Sequence, residues 1–183
     1  IETTHKYGMD FHAWINPYRA TMTKDTSLLS ESHDFNKHSE WMVPYGSKYY
    51  YNPGLPEVQQ HLITIVQDIT KRYNIDGIHL DDYFYPYKTE GALFKDQKAF
   101  AQYGNGQAID DWRRENINRL IKGIHSSVKN EKPWVSFGVS PFGVWKNSHT
   151  DPRGSNTSAG QTTFDDLYAD PLVWMEKGWI DYL

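Results

Sequence analysis

The stretch Asp76-Gly-Ile-His-Leu-Asp-Asp-Tyr-Phe-Tyr-Pro86 opens as a buried strand and closes as a polar cluster. Ile75, Ile78 and Leu80 are interleaved with smaller or polar residues, a rhythm that predicts a strand over 75–82. Two adjacent carboxylates, Asp81 and Asp82, stand where that strand should stop, and Tyr83, Phe84 and Tyr85 follow before Pro86. Acids handle protons and developing positive charge, and aromatic rings stack on the apolar faces of pyranoses. Carboxylates beside aromatics at the C-terminal end of a strand therefore suit the cleavage of a sugar polymer.

Outward from this stretch the chain alternates strand and helix. A first strand is expected over 9–16, running into Pro17-Tyr18-Arg19, and the polar, aromatic segment 20–53 has no sustained period and reads as one large loop. A helix over 56–73 has Pro56 in its first turn and Val58, Leu62, Ile65, Val66, Ile69 and Tyr73 on one apolar face. After the 75–82 strand comes a long connection with a short helix near 93–103. A second amphipathic helix over 108–129 turns Trp112, Ile117, Leu120, Ile121, Ile124 and Val128 inward. On its outer side Asp110-Asp111 and Arg113-Arg114 read as a solvated helix face. A third strand over 134–140 leads into a loop at 141–161 rich in Gly, Ser, Asn and Thr. A last helix over 171–177, with Asp170 as N-cap and Gly178 after its end, precedes a fourth strand over 179–183.

Repeated strand, long loop, helix implies parallel strands. The long loops all follow strands, and the helix-to-strand links are short, which is the pattern of a (β/α)8 barrel enzyme. A doubly wound sheet is the runner-up, but no Gly-rich phosphate turn opens a helix here. A closed barrel takes roughly 250 residues, so residues 1–183 are expected to form one partial barrel domain with strands lacking on both sides.

Composition narrows the partners. A net charge of −4 argues against nucleic acid and against an anionic membrane surface. The aromatic share is 15%, with 13 Tyr and 7 Trp, which favours flat ligands such as carbohydrate even after the core takes its part. The absence of Cys excludes disulfides and thiolate metal sites, and no apolar run approaches the roughly 18 residues that span a bilayer. No cofactor is called for.

Strand parity sorts the candidate site residues. His12, Trp14 and Asn16 share one face of the first strand; His79 and Asp81 share one face of the second; Ser136, Gly138 and Ser140 share one face of the third. These polar sets are expected to line the barrel interior, with Asp81 aimed at its centre and Asp82 at the break of the strand. His12 and His79 are expected to hydrogen-bond each other or Asp81, without a third ligand to make a metal site. Asn16 and Arg19 are candidate sugar-binding groups. Trp14, Tyr83, Tyr85 and Trp145 are candidate stacking platforms, and Asn147 is a further candidate contact.

Three segments, DGIHLDDYFYP at 76–86, HAWINPYR at 12–19 and VSPFGVWKN at 139–147, together resemble the bacterial glycosyl-hydrolase-like family of (β/α)8 barrels, which includes a divisome-localised hydrolase of peptidoglycan glycan strands. The resemblance covers nearly the whole chain and places its strands as the third to the sixth of a barrel. It implies hydrolysis of a cell-envelope polysaccharide, and hence a location in the envelope, periplasmic or lipid-anchored. Gly77-Ile-His-Leu-Asp81 is also similar to the Gly-x-Arg-x-Asp strand of the α-amylase clan, whose Asp is the nucleophile, and Asp81 falls on that position. The acid that ends the next strand in that clan has no counterpart at Ser140. Two other functions fit the same residues: a non-catalytic glycan-binding barrel, and a metal-dependent amidase-type barrel hydrolase using His12, His79 and Asp81.

Overall fold

In the computed structural model, which describes residues 1–82 and 84–183, short parallel strands alternate with long helices. In chain order the elements are α1 (Glu2–Lys6), β1 (His12–Ile15), α2 (Asp34–Lys37), β2 (Met42–Tyr45), β3 (Lys48–Tyr51), α3 (Pro56–Arg72), β4 (Gly77–Leu80), α4 (Gln97–Tyr103), α5 (Ile109–Glu131), β5 (Ser136–Val139), α6 (Thr163–Asp166) and α7 (Pro171–Glu176). The main sheet has the order β1-β4-β5, with both pairings parallel. The last segment joins it through a single parallel bridge from Gly138 to Tyr182, where a full strand over 179–183 is expected from sequence.

The helices form because their apolar residues recur at helical spacing and find a common face to cover. Trp112, Ile117, Leu120, Ile121 and Val128 of α5 are fully buried and Ile124 nearly so. Pro56 sits in the first turn of α3, where its missing N–H costs nothing. Val58, Leu62 and Val66 are buried, whereas Ile65 and Tyr73, assigned above to the same face, are exposed at the margin of the stripe. α3 and α5 pack against each other over Ile78, Leu80, Phe137 and Val139, which are all at 0% exposure. Burial of side chains of this kind contributes about 1.5–3 kcal/mol each. The alternation then fixes what lies on the opposite face of the sheet: the polar and aromatic residues of the same strands.

Two further expectations need correction. The segment 20–53 is not a single loop: β2 and β3 form an antiparallel hairpin, register Met42↔Tyr51 to Tyr45↔Lys48, that stands as a separate sheet. Pro44 masks it in the sequence, since proline is excluded from central strands, yet in a two-stranded sheet every strand is an edge. The turn rests on Gly46, whose φ of +55° is a left-handed conformation. Likewise, Arg113 is not on a solvated face. Its guanidinium is drawn inward, where Nε and Nη2 each donate to the carboxylate of the fully buried Asp96 at 2.8 Å.

Two strand glycines open the polar face of the sheet. A Cβ built on Gly138 would lie 2.1 Å from the ring of Tyr182, and one on Gly77 would lie 2.5 Å from Nδ1 of His12. Gly138→Ala is therefore expected to destabilise the fold by about 1–3 kcal/mol, because the rigid Tyr182 ring must leave its seat. Urea unfolding of the variant measures this, and an unchanged midpoint would mean that the ring does not rest on the glycine.

Candidate functional site

The polar face of the main sheet is built in rows. His12 is in register with Gly77, and Gly77 with Ser136. Above them Trp14 is paired with His79, His79 with Gly138 and Gly138 with Tyr182. One further step along the strands come Asn16, Asp81 and Ser140. The ladder continues to that level: the Asp81 N–H donates to the Ile15 carbonyl at 3.4 Å and the Ser140 N–H to the Leu80 carbonyl at 3.0 Å. This top row lies at the end of the sheet from which the long loops leave. It brings together Asp81, Asn16 and Ser140, the convergence that parity predicts.

Asp81 is 8% exposed and its Oδ2 accepts a hydrogen bond from Asn16 Nδ2 at 3.1 Å. The orientation of Asn16 is fixed at its other end, since its Oδ1 accepts the Arg19 backbone N–H at 2.9 Å. An amide whose oxygen is engaged in this way presents its NH2 to the carboxylate. Asp82 leaves the row at the strand break, where its carboxylate accepts the Tyr87 hydroxyl and its carbonyl accepts the Phe84 N–H at 3.0 Å.

The histidines are correctly placed but not paired as expected. His12 Nδ1 and His79 Nδ1 lie 2.7 and 3.1 Å from the same atom, the hydroxyl oxygen of Tyr182. His79 Nε2 lies 3.0 Å from Ser140 Oγ. Burial, and secondarily the nearby His12, lower the basicity of His79, while Asp81 acts in the opposite direction. Trp14 is 72% exposed and meets the His79 ring edge-on at 5.9 Å, so it presents an open surface on the same face.

Other candidates lie elsewhere. Tyr85 is 2% exposed and is a core residue, not a platform: its ring packs edge-on against Phe94 and Tyr168 beneath the Arg113 guanidinium. Asn147 is a loop organiser. Its Nδ2 donates to the Ala159 carbonyl at 2.9 Å, and its Oδ1 accepts from Thr157 Oγ1 at 2.7 Å and the Ala159 N–H at 2.9 Å, which uses its amide within the loop. Trp145 donates its indole N–H to Asp170 at 3.1 Å and lies against Phe164, Lys146 and Arg153, so its contacts are with that loop and its neighbours rather than with the top row. Arg19 continues from Asn16 into an antiparallel bridge with Tyr50, tying the top of β1 to the hairpin. Tyr83 lies outside the described residues. The residue that sequence reading missed is Tyr182; its signal was Gly138, since a glycine inside a strand marks a close approach.

Comparison with known proteins identifies the family. The pattern of the family described as Glycosyl hydrolase-like 10 matches residues 1–183. The chain belongs to the glycosyl hydrolase-like 10 family. It is 50% identical over 186 residues to Glycosyl hydrolase YngK of Bacillus subtilis, covering 100% of this chain and 36% of that protein. It is 37% identical over 193 residues to Glycosyl hydrolase DigH of Escherichia coli, covering 100% of this chain and 44% of that protein. The chain thus spans less than half the length of these relatives. Among solved structures it is similar to an alpha-L-fucosidase from Paenibacillus thiaminolyticus (TM-score 0.48, 15% identity, 76% of this chain and 22% of that one). It is also similar to an alpha-galactosidase from Lactobacillus brevis (TM-score 0.43, 20% identity, 76% and 17%).

For this glycosyl hydrolase-like 10 chain, the described residues of each segment that carries the resemblance in sequence lie on the main sheet or in the loops that leave it. Among the described residues no helix is long and apolar enough to cross a membrane, and no group of three His, Cys, Asp or Glu side chains is spaced to hold a metal ion. A buried carboxylate steadied by an amide, beside a hydroxyl and an exposed indole, can hold developing positive charge against a sugar ring.

Proposed function

We propose that this chain supplies the carboxylate-bearing part of a (β/α)8-barrel glycoside hydrolase that cleaves a cell-envelope polysaccharide, with peptidoglycan glycan strands as the substrate class. Its strands take the third to sixth places of the barrel, and the enzyme works outside the cytoplasm. The observation that carries this reading is the position of Asp81: buried, at the loop end of the central strand of the parallel sheet, and held by Asn16 from the neighbouring strand. Asp81 acts as nucleophile or as electrostatic stabiliser of an oxocarbenium-like centre. Asp82, or a residue outside this chain, serves as acid/base. Trp14, exposed on the same face, offers a pyranose its ring. Family membership and the names of the curated relatives support hydrolysis of glycosidic bonds, and the parallel βα alternation, with its long loops at one end, supports the barrel.

The expected result is that the intact protein, given purified peptidoglycan glycan strands, releases oligosaccharides with new reducing ends, read by reductive labelling and mass spectrometry. Release of peptides with the glycan left intact would instead establish an amidase. A second reading, a glycan-binding barrel without catalysis, has one observation in its favour: the Asp82 carboxylate is engaged by Tyr87, which leaves Asp81 as the carboxylate of the top row. Binding of glycan strands without new reducing ends would establish that reading.

A further inference from the structure

Four side chains form a hydrogen-bonded chain across the polar face of the sheet, in the order His12, Tyr182, His79, Ser140. It runs directly beneath the top row and ends in it, at Ser140. Each link has a geometric basis. The Tyr182 ring lies over Gly138 and within 17° of parallel to the His79 ring, and the His12 ring lies over Gly77. A side chain on Gly77 would displace His12, and one on Gly138 would displace Tyr182.

The proton count allows the chain two directions. A phenol has one hydrogen to donate, so Tyr182 donates to one imidazole and accepts from the other. When His79 is neutral and its Nδ1 accepts from Tyr182, its Nε2–H donates to Ser140, and the Ser140 hydroxyl hydrogen is left to donate toward the mouth. When Tyr182 donates to His12 instead, His79 Nδ1–H donates to Tyr182 and Nε2 accepts from Ser140, so Ser140 offers the mouth only lone pairs. The Tyr182 hydroxyl therefore couples the tautomer of His79 to the polarity of the hydroxyl beside Asp81. The groups that face His79 are His12 on β1, Asp81 on β4, Ser140 after β5 and Tyr182 itself, with the edge of Trp14 beside them.

We propose that Tyr182 is a positioning residue for the mouth of the site: it fixes the ring and tautomer of His79 and, through His79, the Ser140 hydroxyl next to Asp81. This rests on the glycoside hydrolase reading above. Tyr182→Phe keeps the ring over Gly138 and removes only the hydroxyl. In the intact protein it is expected to lower kcat about tenfold with KM changed less than about twofold, the pattern of a group that serves the transition state rather than binding. Ser140→Ala is expected to give a fall of similar size. The double variant should also fall about tenfold rather than a hundredfold, because both changes break one chain. Ring 15N signals of His79 should report a changed tautomer in Tyr182→Phe. Multiplicative losses in the double variant, or unchanged His79 signals, would overturn the proposal. If the wild-type protein cleaves no glycan, the enzymatic reading fails, and the His79 signals alone then decide whether Tyr182 positions that ring.

Discussion

Asp81→Asn in the intact protein is expected to lower glycan cleavage at least about a thousandfold while folding and glycan binding stay close to normal. The exchange conserves size and shape and replaces one carboxylate oxygen by NH2. Removing a charge that stabilises a transition state in a buried, preorganised site typically raises the barrier by several kcal/mol, and each 1.36 kcal/mol is roughly a factor of ten. The site has the features that make such a charge count: Asp81 is 8% exposed, and Asn16, itself held by the Arg19 backbone, keeps a donor aimed at it. Steady-state rates with circular dichroism and a glycan-binding isotherm measure the three quantities separately. Asp82→Asn gives the comparison. A loss of the same order assigns Asp82 the acid/base role, and a small loss assigns it to the Tyr87-bonded loop. Near-normal turnover of Asp81→Asn would remove Asp81 from the centre of the mechanism.

The largest effect on stability is expected at Asp96. Its side chain is fully buried, and both its oxygens accept from Arg113, at 2.8 Å each. The third arm of the guanidinium donates to the Tyr168 hydroxyl at 2.8 Å, and its Cζ lies 4.9 and 5.6 Å from the ring centroids of Tyr168 and Tyr85. Asp96→Ala takes the buried anion from that cation and leaves it the looser contact with the exposed Asp110, 3.8 Å from Nη1, and breaking a buried pair from one side typically costs about 3–5 kcal/mol. Replacing both partners, as in Asp96→Leu with Arg113→Met, should recover a large part of this, since the uncompensated charge is then gone. Urea unfolding of the single and double variants tests it, and a single-variant cost below about 1 kcal/mol would show that water reaches Arg113. The pair also bears on the site. It ties the start of α5 to the residue before α4, and so anchors the far end of the connection that begins at Asp81 and Asp82.

The parts of this protein that depend on a repeating pattern were legible in the sequence. The inward stripe of α5 is buried residue for residue, and the strand around Ile78 and Leu80 pairs in parallel on both sides. Parity along β1 and β4 was enough to bring Asn16 to Asp81. What it missed depends on partners far away in the chain. Arg113 read as a surface charge because its i,i+3 neighbour Asp110, 3.8 Å away, explains it locally; the closer partners that hold it are Asp96 and Tyr168. Tyr85 and Asn147 have the residue types of a sugar site, but the loops that carry them turn the one into the core and spend the other on Thr157 and Ala159. Tyr182 belongs to the site through a single bridge beside Gly138, too brief a pairing to show as a strand period. The hairpin β2–β3 was hidden by Pro44, whose cost vanishes on an edge.

Cleavage of the glycosidic bond over Asp81 can be tested by a crystal structure of the intact Asp81→Asn protein with an uncleaved glycan oligosaccharide. A sugar is expected to span the loop end of β4, with the anomeric carbon of the scissile bond within about 3.5 Å of the residue 81 side chain and a pyranose against Trp14. An oligosaccharide bound with no anomeric carbon near residue 81, on the hairpin or in the loop around Trp145, would contradict it.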